Sequence, residues 1–299
     1  MNLRSGQVPR MLVGGAIAAA GLLVFMDELA KPLMHLRPSI AGALQGGAMA
    51  ALATAAGTIP VLFAQKLSRK VCEGFLGLGA GIMLAATSFS LVIPALAASR
   101  AAGAGAWQAA AITAAAILLG MALVMGLDRF AGAGIHVEEA SATTPDSKHD
   151  NNSVKRAWLF VAAIAIHNLP EGLAIGVAYA GVDAAKAYGL ATGIALQDIP
   201  EGLVVAMALR AVGYGRVFSA LLGVASGIIE PIAAVGGAAL IEVAAGLLPW
   251  GLACAGGAML YVICHHIIPE SHKDGLNKFA SASLVTGFVV MMVLDTALA

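Results

Sequence analysis

Two hexapeptides carry most of the chemistry this chain can do. His167-Asn168-Leu169-Pro170-Glu171-Gly172 and Gln197-Asp198-Ile199-Pro200-Glu201-Gly202 share one pattern, polar-polar-apolar-Pro-Glu-Gly, and each lies deep inside a long apolar run. An ionisable side chain near the centre of a bilayer costs about 2.5–3.5 kcal/mol even on lenient insertion scales. Three carboxylates, an imidazole and two amides in neighbouring helices therefore require a compensating partner. In a helix His167 and Glu171 are i,i+4 and share a face, as do Gln197 and Glu201. Asn168 and Asp198 sit one residue round, three positions before the glutamates. With the two helices face to face, Glu171 and Glu201 converge, flanked by His167 and Gln197 on one side and Asn168 and Asp198 on the other.

Glu230, followed by Pro231, adds another lone carboxylate in a later apolar run. Imidazole, carboxylate and amide oxygen together suit a borderline divalent ion such as zinc better than potassium or sodium. Two bridging glutamates could hold two such ions. One buried His is more often a helix–helix hydrogen-bonding residue, and one buried Glu more often a proton relay. The duplication favours metal. Pro170 and Pro200 each remove a helical N–H, so kinks are expected there, with the Ile166 and Leu196 carbonyls free to turn toward the site.

The elements that hold these groups are membrane helices. Of 299 residues 60% are hydrophobic and 11% charged, with 36 glycines, against roughly 25% charged in a soluble domain. Net charge is zero, which excludes a nucleic-acid footprint. Cys72, Cys254 and Cys264 form no C-x-x-C and read as free thiols. About 20 apolar residues span a bilayer, and nine candidate spans follow: 11–30, 39–65, 72–98, 107–128, 157–180, 188–210, 216–245, 248–271 and 279–298. The first is read as a retained helix, not a cleaved signal. The expected fold is an all-α polytopic transmembrane bundle of nine helices forming a single domain. The polar segment 129–156, with His136 and His149, is expected to be a solvated loop.

Orientation follows from lysine and arginine. With the N-terminus cytoplasmic, all but Lys31, Arg37, Arg100 and Lys186 of the 17 basic residues fall on the inner side. That bias places the N-terminus inside and the C-terminus outside. Asp128 and Asp295, near span ends, are expected to be capping or interfacial groups.

At these motifs the chain resembles the ZIP (Zrt/Irt-like) metal transporters, their bacterial members most closely. The similarity runs from about Ile40 to the C-terminus and includes "IMLAATSFSLVIP" at 82–94, "SGIIEP" at 226–231 and "HHIIPESH" at 265–272. The resemblance implies an eight-helix core (39–128, 157–210 and 216–298) with an inverted 3+2+3 repeat, the helix at 11–30 being extra. It implies elevator-like alternating access, a homodimer and a bacterial inner-membrane location. Its ligand sets, carried over, are Met83, His167, Glu171, Gln197 and Glu201 for one ion, and Asn168, Glu171, Asp198, Glu201 and Glu230 for the other. Met83 enters on the resemblance alone. Ser90, His265, His266 and Glu270 match pathway or exit positions. His266 stands where an acidic residue is expected, and Ala97 where relatives carry an aspartate near the outer entrance.

The expected function is therefore import of divalent transition metals, zinc first and cadmium or iron besides. They are bound as substrate, two per site, with no organic cofactor and no catalytic residue. No Walker motif is present, so a gradient must drive the flux. Two rivals stand beside it: an intramembrane metalloenzyme, for which the open coordination position and separate base are not evident, and a proton or sodium pathway, which has no need of His and Met.

Overall fold

The computed structural model describes residues 37–63, 69–131, 151–272 and 277–297; the span expected at 11–30 lies outside them. Among the described residues the chain is wholly helical, and eight helices are long and apolar enough to cross a membrane. Helix α1 is Pro38–Phe63. Helix α2 is composite: Arg69–Ala86, a π-helical turn Thr87–Val92, then Ile93–Ala101. Helices α3, α4 and α5 are Ala106–Ala131, Asn151–Gly181 and Ala184–Ala211. Helix α6 joins Arg216–Gly227 to Ile229–Val243 across a break at Ile228. Helix α7 runs Leu248–Val262, a π-helical turn Ile263–Ile267 and Ile268–Ser271. Helix α8 is Asn277–Ala297. Helices α3 and α4 extend into both ends of the segment expected as loop, leaving 132–150 outside the described residues.

Prolines shape these helices in more than one way. Helices α4 and α5 continue without interruption through Pro170 and Pro200. The irregularities lie beside three other prolines. Pro94 and Pro269 each follow a π turn, in which the Ile93 N–H bonds the Ser88 carbonyl and the Ile268 N–H that of Ile263. The missing proline N–H cannot bond the carbonyl four residues back, and a wider turn re-pairs part of the ladder. Before Pro231 the helix breaks at Ile228 instead.

Two groups of helices result. Helix α1 packs on α5 and α6, and α4 on α6 and α5, making one group of α1, α4, α5 and α6. Helix α2 packs on α8 and α3 on α7, making the second. Helix α2 leans on α5, and α7 on α4, to join them. The tightest seams run through glycine. A Cβ at Gly202 would overlap the Thr54 carbonyl, one at Gly172 the Glu230 carbonyl, one at Gly81 that of Leu284 and one at Gly257 that of Ile117. Small residues let backbones approach in the bilayer, where apolar burial between helices gains little over lipid. Helices α2 and α5 end in tight turns with Gly103 and Gly213 left-handed (φ 94° and 95°). There Ala104 N–H reaches the Ser99 carbonyl and Tyr214 N–H that of Leu209, bonds that satisfy orphan carbonyls at a helix end.

Candidate metal centre

Pairing of α4 with α5 brings the two motifs together in the middle of the bundle. His167, Glu171 and Glu201 each offer a ligand atom, and these atoms lie within 4.8 Å of one another. His167 Nε2 is 3.4 Å from Glu171 Oε1. The Gln197 amide donates from Nε2 to Glu171 Oε1 and, at 3.0 Å, to Asp198 Oδ1. Asp198 lies beside Glu230, Glu171 and Glu201. Asn168 Nδ2 donates to the Ser226 carbonyl of α6 at 3.0 Å.

Burial makes this cluster costly. None of the seven N/O residues exposes more than 7%, and Glu171 and Glu230 expose none of their surface. Each retains one buried polar atom without a hydrogen-bond partner: His167 Nε2, Asn168 Oδ1, Glu171 Oε2, Gln197 Oε1, Asp198 Oδ2, Glu201 Oε1 and Glu230 Oε2. Buried polar groups are nearly always paired, and leaving one unpaired costs about 1–3 kcal/mol. Seven orphans on the seven residues of one constellation, all acceptors or able to accept, describe a donor set for a cation.

The surroundings differ on the two sides. Toward the ends of α4 and α5 that carry Phe160 and Val204, a cavity of about 650 Å³, counted to its open mouth, reaches His167, Gln197 and Glu201. Its wall includes Phe75 and Gly79 of α2 and His266 of α7. Toward the other ends of α4 and α5 stand Ile175 and Ile194, which with Ile82, Ala86 and Met291 belong to the main apolar core, each at most 1% exposed. Met83, from the same face of α2 as Gly79, is buried at 1% among them. Gly79 faces Gln197, whose Cβ is 3.6 Å from where a Gly79 Cβ would sit, so the turn carrying Met83 borders the centre.

The pathway candidates separate from the centre. Ser90, at the π turn of α2, is buried and donates to Asp295 Oδ1 on α8. His266, at the π turn of α7, contacts Asp128 Oδ2 on α3 at 2.9 Å. His265 stacks on Tyr261 with ring centroids 5.1 Å apart. The side chain of Glu270 lies outside the described residues. Neither Asp128 nor Asp295 caps a helix: Asp128 is 6% exposed, and each pairs across helices, with His266 and with Ser90 respectively. Sequence reading also passed over Thr54 of α1, whose hydroxyl lies 3.3 Å from Glu230 Oε1.

Eight apolar helices enclosing a buried acid–imidazole centre make this an integral membrane protein of the polytopic helical class. Residues 136–295 match the sequence model of the family described as ZIP Zinc transporter. The chain is 42% identical over 250 residues to zinc transporter GufA of Myxococcus xanthus, covering 84% of this chain and 96% of that protein. It is 41% identical over 293 residues to zinc transporter ZIPB of Bordetella bronchiseptica, covering 97% and 93%. Human zinc transporter ZIP11 matches at 44% over 153 residues, 49% of this chain and 45% of that protein. The chain belongs to the ZIP family.

Proposed function

We propose that this protein carries divalent transition-metal ions across a membrane into the cytoplasm, zinc above all, since its relatives are named zinc transporters. One observation carries the reading: seven buried residues on α4, α5 and α6, each with an unpartnered donor atom, around the His167, Glu171 and Glu201 cluster. Two ions occupy the centre. Met83, His167, Glu171, Gln197 and Glu201 hold one; Asn168, Glu171, Asp198, Glu201 and Glu230 hold the other, with the glutamates bridging. For Gln197 to ligate, its amide turns over so that Oε1 replaces Nε2 toward the site. Cadmium and iron are further substrates by the same donor chemistry.

The conformation is inward-open. The cavity leads from the centre to the side that the basic residues make cytoplasmic, while Ile82, Ile175 and Ile194 close the outer side. The N-terminus is cytoplasmic and the C-terminus lies on the outer side of the inner membrane. The outer closure opens when the group α1, α4, α5 and α6 slides against α2, α3, α7 and α8, an elevator-like alternation. The packing supports an inverted repeat: exchanging α1 with α6, α2 with α7, α3 with α8 and α4 with α5 reproduces the main helix pairs and carries one π turn onto the other. A homodimer is the working assembly. Outgoing ions pass His266, paired with Asp128, then His265 and Glu270.

The rival readings separate in one assay. Proteoliposomes holding a zinc-sensitive dye should take up zinc or cadmium; a metalloenzyme would give hydrolysis without flux, and a proton or sodium pathway would pass those ions and no zinc. Because protons compete with the metal for imidazole and carboxylates, zinc affinity should fall as pH drops from about 7 to about 5. Calorimetric titration at the two pH values checks this. Equal affinity at both would exclude these ligands.

A further inference from the structure

Each motif glycine lies against a backbone carbonyl of a flanking helix. Gly172 of α4 lies against the Glu230 carbonyl of α6, and Gly202 of α5 against the Thr54 carbonyl of α1. Thr54 thus occupies on α1 the position relative to α5 that Glu230 occupies on α6 relative to α4. Helices α5 and α6 close on it: a Cβ at Gly227 would lie 3.0 Å from Thr54 Cβ and 3.1 Å from its Oγ1. Thr54 is 1% exposed, and its β-branch leaves few rotamers inside a helix. Its hydroxyl is 3.3 Å from both Glu230 Oε1 and the Ala50 carbonyl. One proton serves two acceptors. While Glu230 is ionised to hold a cation, the charged acceptor wins, since charge-assisted hydrogen bonds are roughly twice as strong as neutral ones.

We propose that Thr54 is a positioning residue for the Glu230 half of the centre, its hydroxyl fixing Oε1 so that Oε2 faces the ion. The assignment rests on the two-ion reading above. That half contains only oxygen donors, Asn168, Asp198, Glu230 and the shared glutamates, whereas the other half adds the His167 nitrogen. Oxygen-only sites suit harder ions such as manganese, and imidazole suits zinc or cadmium. Loosening Thr54 therefore weakens the oxygen half and leaves the histidine half unchanged.

The test compares wild type, Thr54→Val and Thr54→Ser by calorimetric titration of purified full-length protein with cadmium, then manganese. Removing a group that orients a ligand typically costs about 10–100-fold in metal affinity. In Thr54→Val the weaker cadmium event and the manganese event should each weaken by at least about tenfold, with the tighter cadmium event within about twofold of wild type. Thr54→Ser, which keeps the hydroxyl, should restore both. Equal weakening of the two cadmium events, wild-type binding in Thr54→Val, or no rescue by serine would overturn the assignment. Should Thr54→Val not fold, wild-type manganese affinity in Thr54→Ser supports it and a tenfold loss there overturns it. A wild type that binds a single cadmium ion sinks the two-ion reading itself, a result distinct from all of these.

Discussion

Glu171→Gln is expected to lose zinc uptake by at least about 100-fold while making the metal-free protein harder to unfold. The loss follows from geometry. Glu171 is the one acid that both His167 and Gln197 contact, and it would bridge both ions. A group that merely supports a ligand is worth up to about 100-fold, so a bridging ligand is worth no less. The gain in stability follows from repulsion. Glu171 acts on each of Asp198, Glu201 and Glu230 across a buried space, and the amide keeps its shape without its charge. Relieving such a functional conflict is expected to add roughly 0.5–2 kcal/mol. Melting in detergent with chelator reads this gain. Adding zinc at about 100 times its dissociation constant should then stabilise wild type by about 2.7 kcal/mol and the variant far less. Full uptake in Glu171→Gln would remove it from the ligand set; a lower melting temperature without metal would make it a structural residue.

The second large effect is steric. Gly172→Val should abolish stable assembly, because its Cβ would overlap the Glu230 carbonyl and lie 2.7 Å from Ala233 Cβ. Overpacking a tight core typically costs 1–3 kcal/mol and here meets backbone, so about 3 kcal/mol or more is expected, a large part of the roughly 5–15 kcal/mol that holds a protein folded. Gly126→Val is the control, since nothing lies within 4 Å of its added Cβ. Size-exclusion profiles and melting curves compare the two. A monodisperse Gly172→Val with wild-type melting would mean that α4 and α6 are not in contact at this glycine.

Why some of this was readable in the sequence and some not has physical reasons. The doubled motif was legible because charge in lipid is expensive: His167, Glu171, Asp198 and Glu201 have no reason to be there without a shared partner. Helical periodicity then placed them on facing surfaces. Met83 carries no such cost, so a buried thioether looks like any packed side chain, and only the family resemblance singled it out. The Asp128–His266 and Ser90–Asp295 contacts join residues 138 and 205 positions apart, and nothing local announces them. Thr54 is equally quiet, a small polar residue in a helix of alanines and glycines. The π turns were hidden for a related reason. Pro170 and Pro200 look no different in sequence from Pro94 and Pro269, yet only the latter two follow widened turns.

The dependence of everything above on one cation-holding cluster allows a direct trial. Anomalous scattering from zinc-soaked crystals should reveal two ions between α4 and α5, one beside His167 Nε2, the other toward Asp198 and Glu230, with Glu171 and Glu201 touching both. Anomalous peaks confined to the protein surface, with those four acids left unliganded at saturating zinc, would contradict it.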